Sequence, residues 1–287
     1  MAGIFRGLFD DASLFPPASL AMGDAVTGHL RHQAAWYGSM SGPFVCADAR
    51  IGQLSLALTI GGFAALDLAL VLPAGAASLD SAVDAVSADP RLRLRAVELP
   101  IAPPSSDAPL ACADAVAEVA AALDRTPLAG AAAFIEVPLA ELTPEAIRAA
   151  DEHRYLIKLR TGGTTAEAFP DERTLAECLV MLAAQRVAFK CTAGLHHAVR
   201  HRDADTGFEH HGFLNVLLAV AVALAGASEA GVAEALADQD GARVAAAVSA
   251  LGDEAAAEVR GLFTSFGTCS TDEPVADLVT LGLVSAD

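Results

Sequence analysis

The sequence predicts an α/β chain folded as an irregular or incomplete (β/α)8 TIM-like barrel. Three observations carry that expectation. Strand-like and helix-like runs alternate regularly from Phe134 to Lys190, at a spacing that fits βαβ units and a parallel sheet. About eight candidate strands run along the chain, enough to close a barrel. The length of 287 residues matches one such domain. No Gly-x-Gly-x-x-Gly or Walker-type loop is present, which weighs against a dinucleotide or P-loop fold. An open doubly wound sheet is the alternative.

The elements follow in order, within a single domain spanning 1–287. Residues 1–40 read as an N-terminal helical extension. The start is apolar but interrupted by Asp10 and Asp11, and it lacks the basic-then-apolar pattern of a signal peptide. A helix is expected over 18–38, carrying His29, Arg31, His32, Trp36 and Tyr37; it closes the barrel floor, covers the site or forms a dimer contact. Aliphatic and β-branched runs predict strands near 43–49, 54–60, 66–72, 92–99, 131–138, 154–161, 187–193 and 261–267. Helices are expected near 76–88, 109–124, 143–152, 171–186, 211–226, 228–238 and 242–258. Two of them carry start signals, Thr143-Pro144 before Glu145 and Pro170-Asp171 before Glu172. The link from 54–60 to 66–72 is too short for a crossover helix, and no strand is evident between the helices at 211–226 and 242–258. The proline-rich stretch 100–109 reads as a loop.

Composition narrows the function. Hydrophobic residues make up 54% of the chain, enough for a large core, and aromatics only 5%, so Ala, Val and Leu build it. A net charge of −18 argues against nucleic acid and anionic membranes as partners. The longest apolar run, Phe213 to Ala227, falls short of the roughly 20 residues that span a bilayer. The five cysteines (Cys46, Cys112, Cys178, Cys191 and Cys269) are odd in number and form no C-x-x-C pair, which fits a reducing cytoplasm.

The chain has only two lysines, both inside apolar strand-like runs that end in glycine. Lys158 stands in Tyr155-Leu-Ile-Lys-Leu-Arg-Thr-Gly-Gly163 and Lys190 in Val187-Ala-Phe-Lys-Cys-Thr-Ala-Gly194, one βα unit later. Strand alternation puts Lys158 and Arg160 on one face and Ile157 and Leu159 on the other. The charged face belongs inside the barrel near its C-terminal end, where barrel active sites lie; Lys190 and Thr192 repeat the arrangement. Two adjacent lysines would depress each other's pKa and favour a neutral amine. Glu136, one strand earlier, would offset that charge, exchange protons or form a structural ion pair with Lys158. Thr161-Gly162-Gly163 and Thr192-Ala193-Gly194 are either ordinary βα turns or, with Arg160, a cradle for a phosphate or carboxylate.

Five histidines cluster late in the chain: His196, His197, His201, His210 and His211. His197 and His211 are acid–base candidates, since imidazole titrates near neutral pH. The alternative is a divalent metal held by His196, His197 and His211, or by one histidine of each pair with Glu136. No H-E-x-x-H motif supports it. Cys269 is either a nucleophile at a helix N-terminus or a small packing residue.

Several of these segments carry a resemblance. Lys158-Leu-Arg-Thr-Gly-Gly163, Phe189-Lys-Cys-Thr-Ala-Gly-Leu-His-His197 and His211-Gly-Phe-Leu-Asn215 resemble an uncharacterised bacterial protein family, as do Leu14-Phe-Pro-Pro-Ala18 and Phe266-Gly-Thr-Cys269. Over five residues, Lys190-Cys-Thr-Ala-Gly194 is also similar to class I aldolase barrels of the deoxyribose-phosphate aldolase type. In those barrels a strand lysine before a Thr/Ser–Gly turn forms the Schiff base. Their second lysine lies on the following strand, whereas Lys158 lies on the preceding one.

The expected function is an enzyme acting on a small phosphate- or carboxylate-bearing carbonyl metabolite, lyase- or isomerase-like. Lys190 is the central residue, as Schiff base or electrostatic catalyst, with no cofactor. A metal-dependent hydrolase or lyase, and a non-catalytic binding protein on a degenerate barrel, are the alternatives. A homodimer is left open.

Overall fold

Eight short runs, most of them aliphatic, form the staves of a closed, all-parallel barrel in the computed structural model, which describes residues 2–101 and 111–286. The barrel strands are β1 (Phe9–Asp11), β2 (Ser41–Ala47), β3 (Leu66–Val71), β4 (Leu92–Pro100), β5 (Ala132–Glu136), β6 (Leu156–Arg160), β7 (Phe189–Thr192) and β10 (Phe263–Thr268). Around the barrel they run β1-β10-β7-β6-β5-β4-β3-β2, and β2 closes back on β1. A two-stranded ribbon, β8 (His201–Arg202) against β9 (Glu209–His210), hangs from the loop after β7. The expected TIM-like barrel is therefore present, and it is complete.

The helices that wrap it are α1 (Met22–Ala34), α2 (Ile51–Gly61), α3 (Leu79–Ser87), α4 (Cys112–Arg125), α5 (Pro144–Glu152) and α6 (Glu172–Gln185). Four more, α7 (Phe213–Leu224), α8 (Glu229–Ala237), α9 (Gly241–Ser249) and α10 (Asp253–Leu262), connect β7 to β10, and α11 (Asp272–Thr280) ends the chain. No barrel strand interrupts that long connection. α7 packs against α6, α8, α9 and α10, which explains why it is apolar nearly all round. Among the described residues no helix is long and apolar enough to cross a membrane. Both helix start signals hold: Thr143 Oγ1 accepts from Ala146 N, and Asp171 Oδ1 accepts from Thr174 N.

Three expectations are corrected. Residues 54–60 are helix, not strand. Leu-Ser-Leu-Ala-Leu-Thr-Ile mimics a period of two, but parallel β2 and β3 need a crossover between them, and α2 supplies it. It buries Ile51, Leu54 and Leu58 at helical spacing and leaves Ile60 79% exposed. The first forty residues are more than a helical extension, because Phe9–Asp11 is a barrel strand between β2 and β10. The helix expected over 242–258 is two helices, broken between Ser249 and Asp253. The loop expected at 100–109 falls largely outside the described residues.

The main core lies between strands and helices, with Leu66, Leu68 and Leu70 of β3 and Phe189 and Cys191 of β7 facing outward into it. A smaller cluster of Val45, Ala69, Ala96 and Phe134 is separate from it and fills part of the barrel interior. β4 changes parity along its length. Leu92 and Leu94 join the outer core, but so do Val97 and Leu99. The register with β3 shifts between Leu68 and Ala69, whose partners are Leu94 and Ala96, so Arg95 is passed over. Beyond that bulge Ala96 and Glu98 face inward.

Candidate functional site

Inward positions on β4, β5, β6 and β7, and on β1 beyond the intervening β10, carry a continuous ionic network. Register pairs Glu136 with Lys158 and Lys158 with Lys190, so these three stand side by side. Lys190 Nζ lies 2.5 Å from Asp10 Oδ2 and 2.5 Å from Glu98 Oε1. Lys158 Nζ lies 2.9 Å from Glu98 Oε2 and 2.9 Å from Glu136 Oε2. Arg160 Nε, 2.9 Å from Glu136 Oε1, continues the chain outward. Ser265 Oγ on β10 donates to Asp10 Oδ2 at 2.7 Å, and the Phe134 ring lies 5.3 Å from Lys190 Nζ.

Depth divides the network. Asp10, Glu98, Lys158 and Lys190 are buried, Glu136 is partly buried, and the Arg160 side chain is 50% exposed. Carboxylates and cations alternate along it, so each buried charge has an opposite neighbour, as a low-dielectric interior requires. Burial pushes the Glu98 carboxyl up, but Lys158 and Lys190 outweigh it and hold Glu98 down to about 2. Glu136 is lowered in the same way, burial being overridden by Lys158 and Arg160. Asp10 goes the other way: burial raises it, and Lys190 only partly offsets that.

The expected neutral amine at Lys190 is corrected. Its pKa is raised, because the attraction of Asp10 and Glu98 overcomes the cost of burial. Glu98 lies between the ammonium groups of Lys158 and Lys190 and gives one oxygen to each, which removes the mutual repulsion expected of two adjacent lysines.

The two Thr–Gly turns pack on each other. Thr161 is buried, and its Oγ1 donates to Ala193 O at 2.6 Å while its amide donates to Thr192 O. A Cβ on Gly162 would lie 2.7 Å from Gly194 Cα; one on Gly194, whose φ is +75°, would lie 2.7 Å from Thr161 O. Backbone contact between the turns therefore accounts for Thr161, Gly162 and Gly194. Thr192 pairs in register with Arg160 at the top of β6 and β7, and a Cβ on Gly163 would meet the Ala168 side chain.

The histidines do not join the lysines. His196 Nδ1 lies 3.0 Å from Glu273 Oε2, and His197 Nδ1 lies 3.1 Å from Asp277 Oδ2, both partners on α11. His197 is the more exposed, and its hydrogen bond to Asp277 raises it above the ordinary imidazole value despite partial burial. His211 is buried with both nitrogens engaged, Nδ1 at 3.2 Å from Arg200 Nη1 and Nε2 at 2.9 Å from Pro170 O. Burial, reinforced by the Arg200 charge, pushes it down to about 4. This corrects its assignment as an acid–base group: His211 ties the β7–α7 connection to the loop before α6. The metal set His196, His197 and His211 is corrected for the same reason. Among the described residues no group of three His, Cys, Asp or Glu side chains is arranged to hold a metal ion. Cys269 Sγ lies 3.7 Å and 3.9 Å from the two nitrogens of His196, and burial raises its thiol.

Sequence reasoning missed Asp10, Glu98 and Ser265. Their only signal was a polar residue inside an apolar run, and the strand parity needed to orient Glu98 is hidden by the bulge in β4. No protein-family model matches this chain, and no curated protein sequence matches it.

Proposed function

We propose that the barrel is an enzyme of the lyase or isomerase kind, acting on a small carbonyl compound that bears a phosphate or carboxylate. The observation that carries this proposal is the sharing of Glu98 between Lys190 and Lys158 on adjacent strands. Lys190, 2.5 Å from two buried carboxylates, is a fixed positive charge, whereas one of the two partners of Lys158, Glu136, is only partly buried. Lys158 stands next to it, toward the exposed end of the network, and is the amine that meets the carbonyl. Its nitrogen adds to the carbonyl carbon, water leaves, and the resulting cationic imine accepts the electron pair of a departing α-proton or a broken C–C bond. Glu136, ionised and 2.9 Å from Lys158 Nζ, takes the proton that the ammonium must lose before attack, returns it to the hydroxyl that leaves as water, and is then the carboxylate that accepts the α-proton. Arg160 has exposed N–H groups to hold the anionic end of the substrate. The central role thus moves from Lys190 to its neighbour.

The net charge of −18 supports a small metabolite rather than nucleic acid as the ligand. The five free cysteines support a cytoplasmic setting.

The test is exchange of α-protons into D2O, followed by NMR across a panel of small phosphorylated and carboxylated aldehydes and ketones. Imine formation labilises those protons whatever the second half of the reaction is. At least one compound should exchange with the wild-type chain, and Lys158→Met should slow it by roughly a hundredfold or more. No exchange with any member, or unchanged exchange in Lys158→Met, would sink the proposal.

A further inference from the structure

The outer helix α2 carries no charge, although one of its faces is open to solvent. The run 51–66 contains no Asp, Glu, Lys or Arg, in a chain with 18 basic and 36 acidic residues. α7 is as poor in charge, but four helices enclose it. α2 lies between α1 and α3, buries Ile51, Leu54 and Leu58, and turns its opposite face outward. On that face Leu56 is 59% exposed and Ile60 79%, the two most exposed large hydrophobic side chains among the described residues. They stand one helical turn apart and so form one apolar ridge. Ridges of this kind on a folded protein mark interaction surfaces.

The order of residues on the ridge selects the occupant. Gly52, one turn before Leu56, is exposed, and a Cβ there would meet nothing within 4 Å. Glycine is disfavoured in helices, and nothing in this chain's own packing calls for one at that position. The ridge thus reads hollow, centre, knob: Gly52, Leu56 and Ile60 at equal spacing. A two-fold axis through Leu56 lays two copies of α2 antiparallel, so that a position four residues before Leu56 faces the position four residues after it. Ile60 of each copy then enters the hollow over Gly52 of the other. Gln53 and Thr59, both exposed and three residues to either side of Leu56, meet by the same rotation, as an uncharged polar rim. Arg91, which donates to Thr59 Oγ1, is already neutralised by Asp89 at 2.7 Å. A chain of net charge −18 repels its own copies over most of its surface, and this face brings no like charges together at its centre.

We infer that the chain forms a two-fold dimer through α2, with Ile60 as the knob, Gly52 as the hollow and Leu56 on the axis. The occupant of the exposed face is a second copy of this chain. The contact lies on the outside of the barrel, and nothing in it depends on the chemistry proposed for Lys158.

Sedimentation equilibrium of the full chain, from about 1 to 100 µM, tests it. The mass should rise with concentration toward twice 29.2 kDa and stop there. Ile60→Asp should weaken the association by about a hundredfold or more, and Gly52→Leu by about tenfold or more. Both positions are exposed, so circular dichroism should show each variant folded as the wild type is. Gly52→Leu separates a fitted contact from a merely sticky patch, because it adds apolar surface while it fills the hollow. Lys158→Met should dimerise as the wild type does. The mass of a single chain at every concentration would overturn the assignment and give the face to a different partner. A dimer that survives Ile60→Asp, or that Gly52→Leu leaves unchanged or strengthens, would overturn it as well.

Discussion

Glu98 Oε1 lies 2.5 Å from the Lys190 ammonium, with both side chains at 2% exposure or less. The partners stand on β4 and β7, with β5 and β6 between them, and they meet only because the bulge in β4 turns Glu98 inward. Removing one of them leaves charge stranded in the interior. Lys190→Met would leave Asp10 and Glu98 facing each other across an apolar side chain. It should destabilise the fold by roughly 3–5 kcal/mol in urea unfolding. Adding Asp10→Asn should recover part of that loss, with a coupling of about 0.5–3 kcal/mol between the two sites. Strict additivity would mean that the pair is not electrostatically linked.

The network also sets a sign for acid denaturation. Glu98 is held down to about 2 in the folded chain, against an ordinary value of 4.5. Its contribution is present in full above pH 4.5 and is lost as pH falls from there toward 2. The amount is on the order of 3 kcal/mol. Asp10 works with the opposite sign: its raised carboxyl binds a proton more readily folded than unfolded, so it subtracts stability above its ordinary 3.8. Unfolding free energies from pH 5 to pH 2 should therefore fall less steeply in Glu98→Gln than in the wild type. An unchanged slope would show that Glu98 is not held ionised by the lysines.

Two histidines of the cluster should titrate far apart. His197, paired with Asp277, should have its midpoint above the ordinary 6.5, whereas His211 should stay neutral down to about pH 4. Ring-proton NMR across this range resolves both. A His211 midpoint near 6.5 would mean that the Arg200 and Pro170 contacts are not formed, and would return His211 to the acid–base candidates.

The Thr–Gly turns give a steric prediction. Gly162→Ala must push against the Gly194 backbone, and Gly194→Ala adds a strained positive φ to a clash with Thr161 O. Each should cost roughly 1–3 kcal/mol, Gly194→Ala the more. Gly62, also at positive φ but with open space around its Cβ direction, serves as a control for conformation alone. Equal losses at Gly62 and Gly194 would show that the turn-to-turn contact adds nothing.

The part of the site readable in the sequence was the part built on regular strands. Lys158, Arg160 and Glu136 could be placed because β5 and β6 alternate without a break, and Lys190 because its run repeats theirs. Glu98 could not be placed. In Leu-Arg-Leu-Arg-Ala-Val-Glu it shares parity with Leu92 and Leu94, and only the register shift against β3 separates it from them. Asp10 was hidden because three residues of β1 are too few to show a period. The alternation in α2 pointed to a strand, and the demand of a parallel barrel for crossovers overrode it. For His211, the deciding partners are Arg200 and the carbonyl of Pro170, a pairing that no local spacing announces.

The chain's two lysines and its terminal amine are its only amines, so covalent trapping can be assigned without ambiguity. The carbonyl compound that shows α-proton exchange should be incubated with the protein and borohydride, and the peptides mapped by mass spectrometry. The reduced adduct should fall on the peptide containing Lys158, with Lys190 unmodified while the protein is folded. An adduct on Lys190, or none on either lysine during active exchange, would contradict the division of the pair into a reacting amine and a fixed charge.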